Sequence, residues 1–344
     1  MQKDDPFSFY DYSDPAWPQA EGLSLVQSFV PDEILAPVLT ALQQRAGQIL
    51  PHAPAAQFLA EAACPKTAWD WDRTLAFNRA VWADLQPRYG AAIDRLVAHD
   101  RFQHEDVAYG LGCGFTYRDS KVEILTTGTI DDPVCIVHES GHLLADVGPD
   151  FTPEGAAGSK VVVNVAEVQA MFAQEHAYHL LQQQEDPHVV AAHRLHYYLG
   201  TLQTIPVFLW QMQKPGAEEP LSHTFKKWSM SGGGVTDALF TMAEPQGLHL
   251  HPFAALVAPV LYKLYQEAAP AQKHDMLAAL YERGDDVNLP EVLSVFGVRS
   301  PSDVAAVGTL AAAHLAEDVR QNITGAPAVP PSFSSSAKSS FKPF

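Results

Sequence analysis

The sequence predicts a mainly α-helical fold with one small β-hairpin beside a central helix. Apolar residues recur at helical spacing through most of the 344-residue chain. One stretch alone, Phe115 to Thr126, reads as two short strands around a turn at Asp119-Ser120. Directly after it, Asp131-Asp132-Pro133-Val134 carries helix-start signals: Asp132 can cap free N–H groups, and Pro133 suits a first helical position.

In chain order, helical patterns cover Pro31 to about Ile49, Trp69 to Leu85, and Ala91 to His99. The hairpin and the helix that follows come next. Further helices are expected over Val165–Gln184, His188–Gln213, Asp237–Met242, Phe253–Ala268, Ala271–Arg283 and Pro301–Asn322. The Ser229-Met230-Ser231-Gly232-Gly233-Gly234 segment reads as a flexible connection, either a hinge near a site or a plain linker. From Gly325 onward the Pro- and Ser-rich composition has no apolar face and predicts a disordered tail.

Composition narrows the partners. Hydrophobic residues make up 47% and charged residues 18%, an ordinary globular balance. A formal net charge of −18 argues against nucleic acid or an anionic membrane, since both repel an acidic surface. No run reaches the roughly 18 apolar residues that cross a bilayer, and the N-terminus has no signal-peptide-like apolar stretch. The three cysteines, Cys64, Cys113 and Cys135, include no C-x-x-C pair. The expectation is a cytoplasmic location, with export without a cleaved signal left open.

His138-Glu139-Ser140-Gly141-His142 carries the chemistry. Residues four apart share a helix face, so two imidazoles can meet one metal, and Glu139 beside them can take a proton from the water a metal activates. A zinc hydrolase site needs a third protein ligand. Glu167, 25 residues after His142, is one candidate, because an acid in an apolar helix start calls for a positive partner. Spacing alone leaves it equally a surface Glu favoured by the helix dipole.

With these residues in view, the chain resembles the oligoendopeptidase F and thimet oligopeptidase family. The similar stretches are Thr127-Gly128-Thr129-Ile130-Asp131-Asp132-Pro133, the His138–His142 motif, and Val165-Ala166-Glu167-Val168. Leu280–Gly284, Leu289–Leu293 and Phe296–Val298 are looser matches, and the resemblance runs from about Tyr109 to Asn322. It implies a zincin-like helical metallopeptidase whose small edge sheet adjoins the active-site helix. It also implies one zinc per chain on His138, His142 and Glu167, with Glu139 as general base. A late His and Tyr that face the zinc correspond to His251 and Tyr262, with His249 and Tyr265 as alternatives. The implied division is a partial lid over residues 1–108, a catalytic core over 109–322 and a tail over 323–344. The Val122–Thr126 segment is expected to bind a peptide backbone by strand addition.

Two departures bear on function. Family members are far longer before the zinc motif, whereas 137 residues precede His138 here, which predicts a more open cleft. Gln174 stands where the family often has a second Glu. The expected activity is zinc-dependent hydrolysis of peptides or flexible protein segments. The alternatives are a non-catalytic, metal-containing peptide-binding module and a protease dedicated to one protein. Asp146 lies one turn past His142 and is either an orienting partner or an ordinary helix-end residue. The pairs His176/His179 and His193/His196 are expected to be packed or solvated helix histidines rather than ligands.

Overall fold

The computed structural model describes residues 69–106, 113–116, 121–150, 163–202, 250–283 and 289–323. The helices expected over 31–49 and 237–242, the glycine-rich connection, His249 and the tail from Gly325 lie outside them. Nine helices and three strands are present in the described residues. In chain order they are α1 (Trp71–Leu85), α2 (Pro87–Ala98), β1 (Phe102–Asp106), β2 (Cys113–Thr116), β3 (Lys121–Thr126) and α3 (Asp131–Val147). There follow α4 (Val163–Leu181), α5 (Pro187–Leu202), α6 (Leu250–Glu267), α7 (Pro270–Tyr281), α8 (Leu289–Val295) and α9 (Pro301–Ile323). The mainly helical expectation holds.

The sheet is more than a hairpin. Its order is β1-β3-β2, with β1 parallel and β2 antiparallel to β3. Phe102 pairs with Val122, and Phe115 pairs with Val122 from the other side. β3 is therefore the central strand, paired with β1 over Val122–Thr126 and with β2 over Lys121–Ile124. These pairings occupy most of the Val122–Thr126 segment expected to receive a peptide, with β1 on one edge throughout and β2 on the other as far as Ile124. Along β3, Val122, Ile124 and Thr126 are buried while Glu123 and Leu125 face outward, the period of two that a one-faced strand requires.

The passage from β3 into α3 is organised by Asp132 in a way the sequence did not suggest. Its carboxylate accepts from the Thr127 and Gly128 amides at 3.0 and 2.8 Å and from the Thr127 hydroxyl at 2.8 Å. It thus holds the preceding turn, not the first turn of its own helix. Burial raises its pKa, and these donors partly offset that rise. Gly128, with φ 74°, supplies the left-handed residue this turn needs. At the far end the Gly148 amide bonds to the Leu144 carbonyl, ending the helix.

α3 is sandwiched between the sheet on one side and α1 and α4 on the other. One apolar core runs from Trp69 to Ala311. Residues 69–106, on the N-terminal side of the boundary expected at 108, belong to this same core, and β1 is a strand of the same sheet as β3. Trp82, Tyr89 and Tyr281 meet edge-to-face with centroids 5.1–6.1 Å apart, joining α1, α2 and α7. Phe172 on α4 does the same with Tyr262 and Tyr265 on α6 and with Phe296 after α8. The second of these aromatic groups holds α4 against α6, and α4 carries the third residue of the site.

Candidate metal centre

His138 and His142 stand one turn apart on the buried face of α3, with ring centroids 5.0 Å apart. α4 runs antiparallel beside them and brings Glu167 opposite both. His138 Nε2 lies 3.5 Å from Glu167 Oε2, and His142 Nε2 lies 3.5 Å from Glu167 Oε1. The three donor atoms all fall within 4.8 Å of one another. Two ligands of a tetrahedral zinc, each about 2.1 Å from the metal, stand about 3.4 Å apart. The two histidine-to-carboxylate separations, each to a different Glu167 oxygen, lie close to that spacing, so this donor set could hold a metal ion such as zinc. His138, Glu139 and His142 are 7%, 6% and 6% exposed, so the site is largely withdrawn from water.

The electrostatics point the same way. Burial by itself would lower the pKa of His138, but its hydrogen bond to Glu167 and the charges of Glu139 and Glu167 outweigh burial and raise it to about 9. The two carboxylates draw positive charge to this spot, whether a proton or a metal cation. His138 Nδ1 is 2.9 Å from Gln174 Oε1. The amide oxygen can only accept, so Nδ1 carries the proton and Nε2 is turned toward Glu167. Gln174 thus orients the His138 ring, as an outer-shell partner of a metal-binding histidine would. A glutamine serves because its carbonyl oxygen accepts that proton as a carboxylate would.

The small residues of the motif set the distance between the two helices. A Cβ on Gly141 would stand 2.7 Å from the Ala170 Cα, so only glycine permits this approach of α3 to α4. Ser140 donates to the Ile136 carbonyl at 2.6 Å and accepts from Asn78 Nδ2 at 2.9 Å, tying α3 to α1 on the face away from the metal ligands.

Tyr262 is not brought to this cluster. Its hydroxyl lies 2.8 Å from His176 Nδ1, and His176 is nine residues past Glu167, about 13 Å along α4 on the opposite face. Tyr262 and Tyr265 instead line a separate open cavity of about 610 Å³ with Asp84, His176, His179 and Lys273. His251 lies in the first turn of α6, and the placement of its side chain falls outside the described residues.

Of the histidines in the two pairs, His176 and His193 are buried and His179 is exposed, and each of the two buried ones has a distant carboxylate beside it. His193 Nε2 lies 3.0 Å from Asp131, and its Nδ1 lies 3.1 Å from the Tyr178 hydroxyl. His176 Nε2 lies 3.1 Å from Asp84, and its Nδ1 lies 2.8 Å from the Tyr262 hydroxyl. Burial dominates at His176. It lowers the pKa to about 4, with His179 and Lys273 adding to the effect and Asp84 opposing it. The folded pKa lies below the unfolded one, so the unfolded chain binds more protons between about pH 4 and 6.5. Stability is then complete above that window and falls as the pH drops through it. A shift of this size corresponds to about 3 kcal/mol. Denaturant titrations at pH 7 and pH 4.5 should show a larger loss in the parent than in His176→Gln, and equal losses would refute the assignment.

Tyr197 on α5 received no attention from sequence, yet its ring lies against His138 at 6.4 Å between centroids, tilted 59°. Nothing local in Leu195-His196-Tyr197-Tyr198 marks it, because its place depends on the tertiary packing of α5.

No protein-family model and no curated protein matches the chain. Three solved structures share its fold. One is a protein from Bacillus anthracis strain Ames named as an oligoendopeptidase F, at TM-score 0.54 and 14% identity over 81% of this chain. A second protein named as an oligoendopeptidase F gives 0.53 and 16% over 86%. PZ peptidase A with an inhibitor gives 0.55 and 15% over 83%. The chain spans 56–59% of the length of these proteins. At such identities the likeness defines the fold as a helical one shared with these peptidase-named structures.

Proposed function

We propose that this protein is a zinc-dependent endopeptidase acting on peptides or flexible protein segments. The observation that carries the reading is the His138–His142–Glu167 donor set, with Glu139 next to His138 on the same helix. It stands in a fold shared with structures named as oligoendopeptidase F and PZ peptidase A. His138, His142 and Glu167 would hold the metal. Zinc bound there supplies a Lewis acid for the scissile carbonyl and lowers the pKa of its water to near 7. Glu139, whose carboxylate is buried, accepts the proton of the attacking water and returns it to the nitrogen of the leaving amine.

An extended peptide needs backbone partners close to α3. The β2 edge offers them, since β2 is an outer strand of the sheet and packs beside α3. The net charge of −18 would favour the approach of basic peptides. The distance of Tyr262 from the cluster favours one competing reading, a metal-bearing peptide binder without turnover.

Metal analysis of the purified chain, with a quenched peptide pool assayed before and after chelation, separates these readings. About one zinc per chain is expected, with cleavage lost on chelation and restored by zinc. Zinc at that ratio with no turnover on any peptide would favour the binder, and cleavage that survives complete removal of metal would overturn the zinc reading.

A further inference from the structure

We infer that Tyr197 is a catalytic residue of this site, its phenol O–H donating to the carbonyl oxygen that gains negative charge as a peptide bond is attacked. The inference rests on the peptidase reading above. A hydrolase site of this kind needs a ligand set, a base and a hydrogen-bond donor for the developing oxyanion. The described residues supply the first two on α3 and α4. The tyrosine expected for the third role, Tyr262, is engaged with His176 on another face of α4.

Tyr197 is a tyrosine whose ring does lie against a ligand histidine, His138, at 6.4 Å. It is partly buried, packed on the core on one side without being sealed into it. Its position is held by the preceding turn of α5. His193 bonds to Asp131 at the start of α3 and to Tyr178 on α4. Arg194 makes two parallel bonds to the Glu175 carboxylate, Nε to Oε1 and Nη2 to Oε2, both 3.0 Å. Residues one turn apart on a helix share a face, so the anchoring of 193 and 194 also fixes where 197 stands. Asp131 lies about two turns before His138, so α5 touches α3 near its start through His193 and near the histidine pair through Tyr197. A buried histidine and a bidentate arginine pair make a rigid mount, as a group that must meet a transition state requires.

The test is Tyr197→Phe, which keeps the ring packed on His138 and removes only the O–H. Three quantities are read: zinc content, kcat and KM on a quenched peptide, and the affinity of a phosphinic peptide whose tetrahedral anion mimics the attacked carbonyl. Zinc should stay at the parent level and KM should change little. kcat should fall roughly 100-fold, the typical effect of removing one oxyanion donor, and phosphinic-peptide affinity should fall by a similar factor. Turnover and phosphinic affinity within two-fold of the parent would overturn the inference. So would loss of zinc, which would make Tyr197 a support for the His138 ring. Glu139→Gln, assayed alongside, separates this from failure of the peptidase reading. If Glu139→Gln is inactive and Tyr197→Phe is not, only Tyr197 is misassigned. If Glu139→Gln retains turnover, or the parent cleaves no peptide, the reading and the inference fall together.

Discussion

Glu139→Gln should lose peptide cleavage by roughly 10²- to 10⁴-fold, the range typical of removing a positioned general base, while retaining its zinc. Glutamine has nearly the shape of glutamate, so the buried position next to His138 is filled without a cavity. What disappears is the capacity to take a proton from water and deliver it to the amine. The proposed metal donors, His138, His142 and Glu167, are not altered. The substitution does remove one of the charges that raise the His138 pKa. That lowers the competition of protons for the imidazole, so zinc affinity should not suffer from that source. The measurement is single-turnover cleavage of a quenched peptide with zinc content determined on the same sample. Undiminished cleavage at full zinc occupancy would show that Glu139 is not the base.

The parts of the site legible in sequence are the local ones. His138, Glu139 and His142 share a helix whose start is signalled by Asp131-Asp132-Pro133, and four-residue spacing is geometry that any α-helix imposes. Glu167 was legible only through resemblance, since its meeting with the histidines depends on α4 packing antiparallel to α3. Gln174 stood out only as a departure from the family's Glu, and neither its bond to His138 nor the place of Tyr197 could be read, because both depend on which turns of neighbouring helices face the histidines. Tyr262 was misplaced for the same reason: α6 meets α4 at Phe172 and His176, more than a turn beyond Glu167. β1 escaped notice because Phe102-Gln103-His104-Glu105-Asp106 holds one apolar residue and no alternation. Its strand character comes from pairing with β3, and that pairing turned an expected edge into the centre of the sheet.

Gly141→Ala should weaken zinc binding and destabilise the fold, against the trend for glycine in a helix. In an exposed helix interior the same change stabilises by about 1 kcal/mol through a stiffer unfolded chain and better helix propensity. Here the added methyl would lie 2.7 Å from the Ala170 Cα, 3.2 Å from the Ala170 nitrogen and 3.3 Å from the Gln169 carbonyl oxygen. Those atoms are backbone and cannot rotate away, so α3 and α4 must separate. α4 has little room to yield. The Gln169 side chain donates to the Leu280 carbonyl, and the Tyr281 hydroxyl donates to the Gln169 carbonyl at 2.7 Å. Overpacking of this kind costs about 1–3 kcal/mol. The separation falls between His138 and His142 on one helix and Glu167 and Gln174 on the other. It therefore lengthens the two 3.5 Å donor separations that match a zinc ion. Zinc affinity from chelator competition and the urea midpoint of the zinc-free protein should both drop. A variant more stable than the parent, with unchanged zinc affinity, would mean that the close approach of α3 to α4 at Gly141 does not set the geometry of the site.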